Sequence, residues 1–251
     1  MNLIMKLRKI PAFIFALFSL LRPRTWGPFL EAYSITRFDH AFSISWSQGG
    51  EDIALLQLLD TNRKGAYIDV GCHHPSRFSV TRHLYQQGWR GVNVDANPEV
   101  REFFKRERPD ELFIHACVGN SSSYLFTIFE ERALSTSDLD WKKRYINEQQ
   151  KVFKEVQVPG ISLFKIITEH FKTSPDLLIV DAEGSDFDVI SSCKWDHLPR
   201  NLWPQWILCE TTPPISTVID SNHVNLLIDL GYEIVCSLPM STILKLKLVS
   251  S

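Results

Sequence analysis

The sequence predicts an α/β domain built on a mostly parallel sheet, and three observations carry that prediction. Short apolar runs alternate with helical stretches, as in "AYIDVG", "TRHLYQQG" and "GVNVDANPE", and strand, helix, strand is the pattern of a βαβ unit. The apolar runs end in Asp, Gly or Glu, the polar strand ends at which open parallel sheets bind ligands. The chain has 251 residues with 44% hydrophobic and 12% aromatic content, enough to bury the core of one such domain.

Residues 1–46 read as an N-terminal extension and 47–251 as the domain proper. In the extension Lys6, Arg8, Lys9, Arg22 and Arg24 bracket an apolar run from Ile10 to Leu21. That run is 12 residues long and contains Pro11, whereas a spanning helix needs roughly 20 apolar residues. "LLRPRTWGPFL" lacks the small residues of a signal-peptide cleavage site. Basic flanks with Trp26 and Phe29 suit an in-plane interfacial helix and hence peripheral membrane contact. The competing expectation is a helix packed on its own domain or on a second subunit.

The domain opens with "SWSQGGEDIALLQLL" (45–59), where Ser47 is placed to cap a helix whose first turn holds Glu51 and Asp52. "AYIDVG" is the first strand, a helix stopped by Gly88 follows, and the second strand is "GVNVDANPE" (91–99). A helix from about Glu99 to Glu107 leads to the third strand, "ELFIHACVG" (111–119), and a helix over Leu163–Phe171 to the fourth, "LLIVDAEG" (177–184). "QWILCE" (205–210), a helix near Asn222–Leu230 and the pair "YEIVCSL" and "TILKLKL" complete the layers. Residues 121–161 interrupt the pattern between the third and fourth strands. There "YLFTIF" and "VFKEVQV" alternate as a hairpin does, and "STSDLDWKKRYINEQQ" between them predicts a mobile tip or lid.

Charge and cysteine usage exclude some functions. With 27 basic and 29 acidic side chains the formal charge is −2, so no overall field recommends nucleic acid as a partner. Cys72, Cys117, Cys193, Cys209 and Cys236 are odd in number and form no CxxC pair. They read as free thiols of a reducing, cytoplasmic compartment.

The chemistry lies at the strand ends. Asp95 follows Asp69 by 26 positions, near the spacing at which a second-strand carboxylate reaches a ribose hydroxyl pair. Asn97 is grouped with it. The loop after the first strand is "GCHHPS", without the GxGxxG turn that admits a pyrophosphate. A single Gly71 after Asp69 suits a nucleoside that carries an amino-acid part and no phosphate, which is S-adenosylmethionine. Asp181 and Glu183, at the fourth strand end, read as a general base or a divalent-metal pair over an acceptor hydroxyl, with Glu210 as a third candidate ligand. Asp186 and Asp188 follow Ser185 in a capping signature that suffices to explain them. His73 and His74 diverge on an extended segment, so they make a poor metal clamp; either one is a candidate for base or hydrogen-bond partner of the hydroxyl.

"SQGGEDIALLQLL", "YIDVGCHHPSRFSVTRHLYQQGWRGVNVDANPE", "HACVGN" and "LLIVDAEGSDFDVI", in that order, together resemble the FkbM methyltransferases over roughly Ser47 to Glu210. The resemblance implies a class I methyltransferase fold, which is a Rossmann-like, doubly wound sheet, with S-adenosylmethionine as methyl donor and O-methylation of a sugar in a polysaccharide or glycolipid, or of a natural product. It implies that Asp69 and Gly71 line the methionine part, that Asp95 holds the ribose, and that Val118, Gly119 and Asn120 lie near the adenine. Cys72 stands where that pattern has alanine, and Ala182 where valine is commoner. Two rival readings compete with it. One is a nicotinamide-dependent oxidoreductase, disfavoured by the missing GxGxxG, and the other a membrane-tethered nucleoside-binding or scaffold protein without catalysis.

Overall fold

The computed structural model describes residues 43–211 and 221–247, so the expected interfacial helix over Ile10–Leu21 lies outside the described residues. The chain runs through α1 (Glu51–Leu58), β1 (Ala66–Val70), α2 (Arg82–Gln86), β2 (Arg90–Asp95), α3 (Val100–Glu107), β3 (Leu112–His115), β4 (Cys117–Val118) and β5 (Ser123–Phe129). It continues through α4 (Leu139–Asn147), β6 (Val152–Ile161), α5 (Leu163–His170), β7 (Leu177–Val180), α6 (Asp186–Ser191), β8 (Trp206–Glu210), α7 (Asn222–Asp229), β9 (Tyr232–Ser237) and β10 (Ser241–Leu246).

Seven strands form one sheet in the order β3-β2-β1-β7-β8-β10-β9. The first five are parallel, and β10 enters antiparallel between β8 and β9. This is the mostly parallel α/β sheet that the apolar runs predict, doubly wound as the resemblance implies. A strand buried on both faces is apolar at every position rather than alternately. Ile68, Val70, Leu178 and Val180 accordingly pack on one face with Leu163, Ile167, Val189 and Leu227 from the helices. Tyr67, Leu177 and Ile179 pack on the other with Leu55, Leu84 and Trp89.

The predicted elements differ from the observed ones at three ends, each for a local reason. The N-cap position of α1 falls to Gly50, at φ 85° and without a side-chain bond, while Ser47 reaches the first turn from outside it, its Oγ accepting from Asp52 N–H at 3.3 Å and donating to Asp52 Oδ1 at 2.8 Å. The single strand expected over 111–119 breaks at Ala116. Its second half leaves the main sheet as β4 and pairs with β6, Cys117 opposite Gly160 and Val118 opposite Ile161. The fourth strand ends at Val180, because residues 181–184 turn sharply, with Glu183 and Gly184 at φ 46° and 93°.

The inserted hairpin forms as expected, β5 against β6 antiparallel. Its connection, expected as a mobile tip or a lid, holds a helix. Residues 139–147 fold as α4, capped by Asp138, whose side chain accepts from Asp140 and Trp141 N–H. The helix turns Tyr145 inward, where it is 5% exposed. All five cysteines are free. Among the described residues no helix is long and apolar enough to cross a membrane.

Candidate active site

The strand order reverses between β1 and β7, and a cleft open to solvent lies at their carboxyl ends. The two strand ends touch through backbone. Asp181 N–H donates to Val70 O at 3.1 Å, and a β-carbon on Gly71, at φ 79°, would overlap the Asp181 carbonyl oxygen. Only glycine fits there, on conformation and on space. Gly71 therefore closes the floor of the cleft.

On the β2 side, Val94, Ala96, Cys117, Val118 and Phe126 give the cleft an apolar wall, with Asp95 at its rim. Each Asp95 oxygen accepts one backbone N–H, Oδ2 from His73 at 2.8 Å and Oδ1 from Asn97 at 2.7 Å. Lone pairs remain on both for a ligand hydroxyl. Burial pushes the Asp95 pKa up to about 6, against those two N–H bonds, which lower it. Asn97 and Val118 also line the cleft.

Several expected residues are placed otherwise. Asp69 does not line the cleft; it faces inward, accepts from Thr81 Oγ1 at 2.9 Å, and is held up to about 6 by desolvation. Gly119 and Asn120 do not line it either. Gly119 is small because the Tyr124 hydroxyl and Asp188 occupy the space beside it, and Asn120 Nδ2 donates to Asp188 Oδ1 at 2.8 Å. Asp188 is thus a docking point for the insert, bonded also by Tyr124 OH at 2.6 Å, rather than a capping residue. Cys72 packs away from the cleft with Val100 and Phe104.

The histidines part company, though not on an extended segment, since His73 has φ 48°. His73 lines the cleft, but its Nε2 lies 3.1 Å from Arg77 Nη1, a group that only donates, so its lone pair is engaged. Burial, with Arg77 and His74 beside it, lowers its pKa to about 4. Both facts make it a weak base. His74 is outside the cleft lining. Its Nδ1 accepts from Ser76 and Arg77 N–H, both at 3.0 Å, which folds the loop, and its ring rests on Phe103.

What replaces a glycine-rich turn is a buried arginine. Arg108, 0% exposed, donates to Pro75 O (2.5 Å), Ser79 Oγ (2.7 Å) and Thr81 Oγ1 (2.8 Å), and so pins the 75–81 loop from beneath. At the loop's outer edge Arg77 grips Glu131 of the insert bidentately, both bonds at 2.9 Å. Neither arginine is legible as a site residue from local sequence.

The β7 and β8 side of the cleft is acidic. Asp181, Glu183 and Glu210 line it, with Glu51 from α1, and one oxygen from each of the first three lies within 4.8 Å of the others. The expected grouping is therefore brought together. Asp181 opens onto the cleft while protein surrounds it. Its pKa is pushed up to about 8, first by desolvation and then by the charges of Glu183, Asp69, Glu51 and Asp95. Glu183 and Glu210 are raised for the same first reason. Asp186 was expected only to cap a helix, but it is 4% exposed, has an unpartnered Oδ1, and is raised by burial and by Asp181. Such a group binds protons or a cation readily. It would repel a pyrophosphate.

The profile of the methyltransferase FkbM domain matches residues 69–234, about two thirds of the chain. No curated protein matches by sequence. Among solved structures, the chain is similar to a TehB-like SAM-dependent methyltransferase from Corynebacterium glutamicum, at 12% identity over 88% of this chain and 100% of that one, TM-score 0.42. It is also similar to the Burkholderia thailandensis 1,6-didemethyltoxoflavin-N1-methyltransferase with bound S-adenosylhomocysteine, at 10% identity over 95% and 91%, TM-score 0.40. A third is the precorrin-6y C5,15-methyltransferase of Geobacter metallireducens, at 14% identity over 84% and 95%, TM-score 0.40. On the sequence match across β1 to β9, the chain belongs to the FkbM methyltransferase domain family.

Proposed function

We propose that the protein transfers a methyl group from S-adenosylmethionine to a hydroxyl of a sugar in a polysaccharide or glycolipid. The observation that carries this is the two-sided cleft, with an apolar slot and Asp95 on one side and a bank of carboxylates on the other. The residues suit that donor. The slot of Val94, Ala96, Cys117, Val118 and Phe126 matches a purine, Asp95 keeps acceptor capacity for ribose hydroxyls, and the carboxylates complement a positive sulfonium. When bound, S-adenosylmethionine supplies an electrophilic methyl group.

The protein's own task is to hold the acceptor oxygen about 3 Å from that carbon, in line, and to take its proton. Asp181 is the base. Its raised pKa strengthens it as an acceptor of the hydroxyl proton while the new C–O bond forms and the C–S bond breaks, with Glu183 and Glu210 flanking it. Ser47, Ser135, Ser137 and Ser185 on the cleft wall suit a neutral, polyhydroxylated acceptor, and the carboxylates disfavour an anionic one. Asp181, Glu183 and Glu210 are also the ligands that a divalent cation would use to acidify the hydroxyl. Methyl transfer that persists in a chelator assigns the proton to Asp181 alone.

Calorimetry with S-adenosylmethionine, S-adenosylhomocysteine and NAD tests the donor: the first two should bind and NAD should not, and binding of none would sink the proposal. Incubation with labelled donor and extracted glycans or glycolipids tests the acceptor, where label in protein or nucleic acid alone would overturn the sugar assignment.

A further inference from the structure

The insert grips the 181–185 turn at four points. Thr136 Oγ1 donates to the Glu183 carbonyl at 2.7 Å, and the hydroxyls of Ser137 and Ser185 meet at 3.0 Å. The Trp141 indole fills the space that a β-carbon on Gly184 would need. The Tyr145 hydroxyl donates to Glu183 Oε2. Tyr145 itself does not line the cleft; its ring is held edge-on by Phe129 at 5.7 Å and by Trp141 at 5.5 Å, so its hydroxyl is delivered from a packed helix. Among the described residues no other side chain donates a hydrogen bond to the carboxylates of Asp181, Glu183 or Glu210. Glu183, at φ 46°, sits in a backbone conformation that costs a non-glycine residue about 1 kcal/mol or more and persists because these contacts hold it.

We propose that Tyr145 is a positioning residue: by fixing the Glu183 carboxylate at the cleft wall beside Asp181 and Glu210, it sets how strongly the site prefers a positively charged sulfonium to its neutral thioether product. This rests on the donor proposed above. The insert is then a fixed frame for the charged side of the cleft. Tyr145→Phe removes the O–H and keeps both ring contacts, and Glu183→Gln removes the charge that the hydroxyl holds.

The test is calorimetry of the full chain with S-adenosylmethionine and with S-adenosylhomocysteine, for the wild type, each variant and the double variant. The wild type should bind the sulfonium more tightly by about tenfold. Each single variant should cut that preference to about threefold or less while leaving affinity for the thioether within about twofold, and the double variant should lose no more than Glu183→Gln alone. A purely structural Tyr145 would weaken both ligands alike. Retention of the wild-type preference in Tyr145→Phe, additive losses, equal binding of both ligands by the wild type, or a Tyr145→Phe chain that does not fold would each overturn the proposal. Failure of the wild type to bind either ligand would instead remove the donor assignment on which it rests.

Discussion

Asp181 is a carboxylate with no hydrogen-bond donor among the described residues and four acidic neighbours acting on it. Asp181→Asn keeps the shape and removes the proposed base. Turnover should fall by about a hundredfold or more, while binding of S-adenosylhomocysteine stays near wild type; normal turnover would end its role. Since only the ionised form accepts a proton and burial raises its pKa to about 8, the rate should climb with pH from about 6 to 9. A flat profile in that range would point to another base. Asp95→Ala should weaken S-adenosylhomocysteine binding by about tenfold or more, through loss of the proposed ribose contact and release of the His73 and Asn97 amides. Asp95, Gly71 and the carboxylates at 181, 183 and 210 are legible in sequence because strand ends converge wherever strands are parallel and neighbouring. Asp69 and His74 mislead for one reason: sequence tells which loop a side chain stands on, and only packing tells which way it turns. Thr81 draws Asp69 inward, and the amides of Ser76 and Arg77 claim His74.

At the scale of elements, the loop after β1 rests on two arginines that contribute differently. Arg108 is buried with Glu111 at 3.5 Å and holds three loop oxygens, so Arg108→Met should cost about 3–5 kcal/mol, read by urea unfolding, because it strands a buried charge. Arg77 and Glu131 are 45% and 43% exposed. Arg77→Ala should change stability by no more than about 1 kcal/mol yet quicken release of S-adenosylhomocysteine in stopped-flow, since the loop's outer edge loses its hold on the insert. Unchanged release would leave that pair a surface ornament. The apolar strands of the sheet are readable because their signal is local and repeated. Helix α4 is not: "LDWKKRYIN" is polar on most sides, and what docks it is one tryptophan and one tyrosine that meet residues about forty positions on. The split of the third strand at Ala116 is hidden for the same reason, since its cause is the free edge of β6.

For the whole molecule, the acidic cleft sets the response to pH. Asp69 and Asp95 are raised to about 6 and Asp181 to about 8, each chiefly by desolvation. A carboxyl whose folded pKa exceeds its unfolded value holds more protons folded than unfolded, so its contribution is favourable below about pH 4 and is lost as pH rises through the folded value. Glu99, Glu107 and Glu131, lowered on balance by the arginines, lysine and hydroxyl that bond them, work in the opposite sense and lose stability on acidification. Thermal stability should therefore peak in mildly acidic solution and decline toward pH 8. Asp181→Asn should flatten that decline and raise the melting temperature near pH 8. A wild-type melting temperature constant from pH 5 to 8 would contradict the origin given for it.

Gly119 N–H bonds to Ile161 O at 2.9 Å, so the two ends of the insert meet where β4 pairs with β6. Between those two residues the β5–β6 hairpin adds Phe126, Ile128 and Val158 to an apolar cluster shared with Ala96 and Cys117 of the main domain. An exchange of this segment would therefore rebuild one wall of the cleft, Phe126 with Ser135 and Ser137, and leave Gly71, Asp95 and Asp181 on the sheet that carries them.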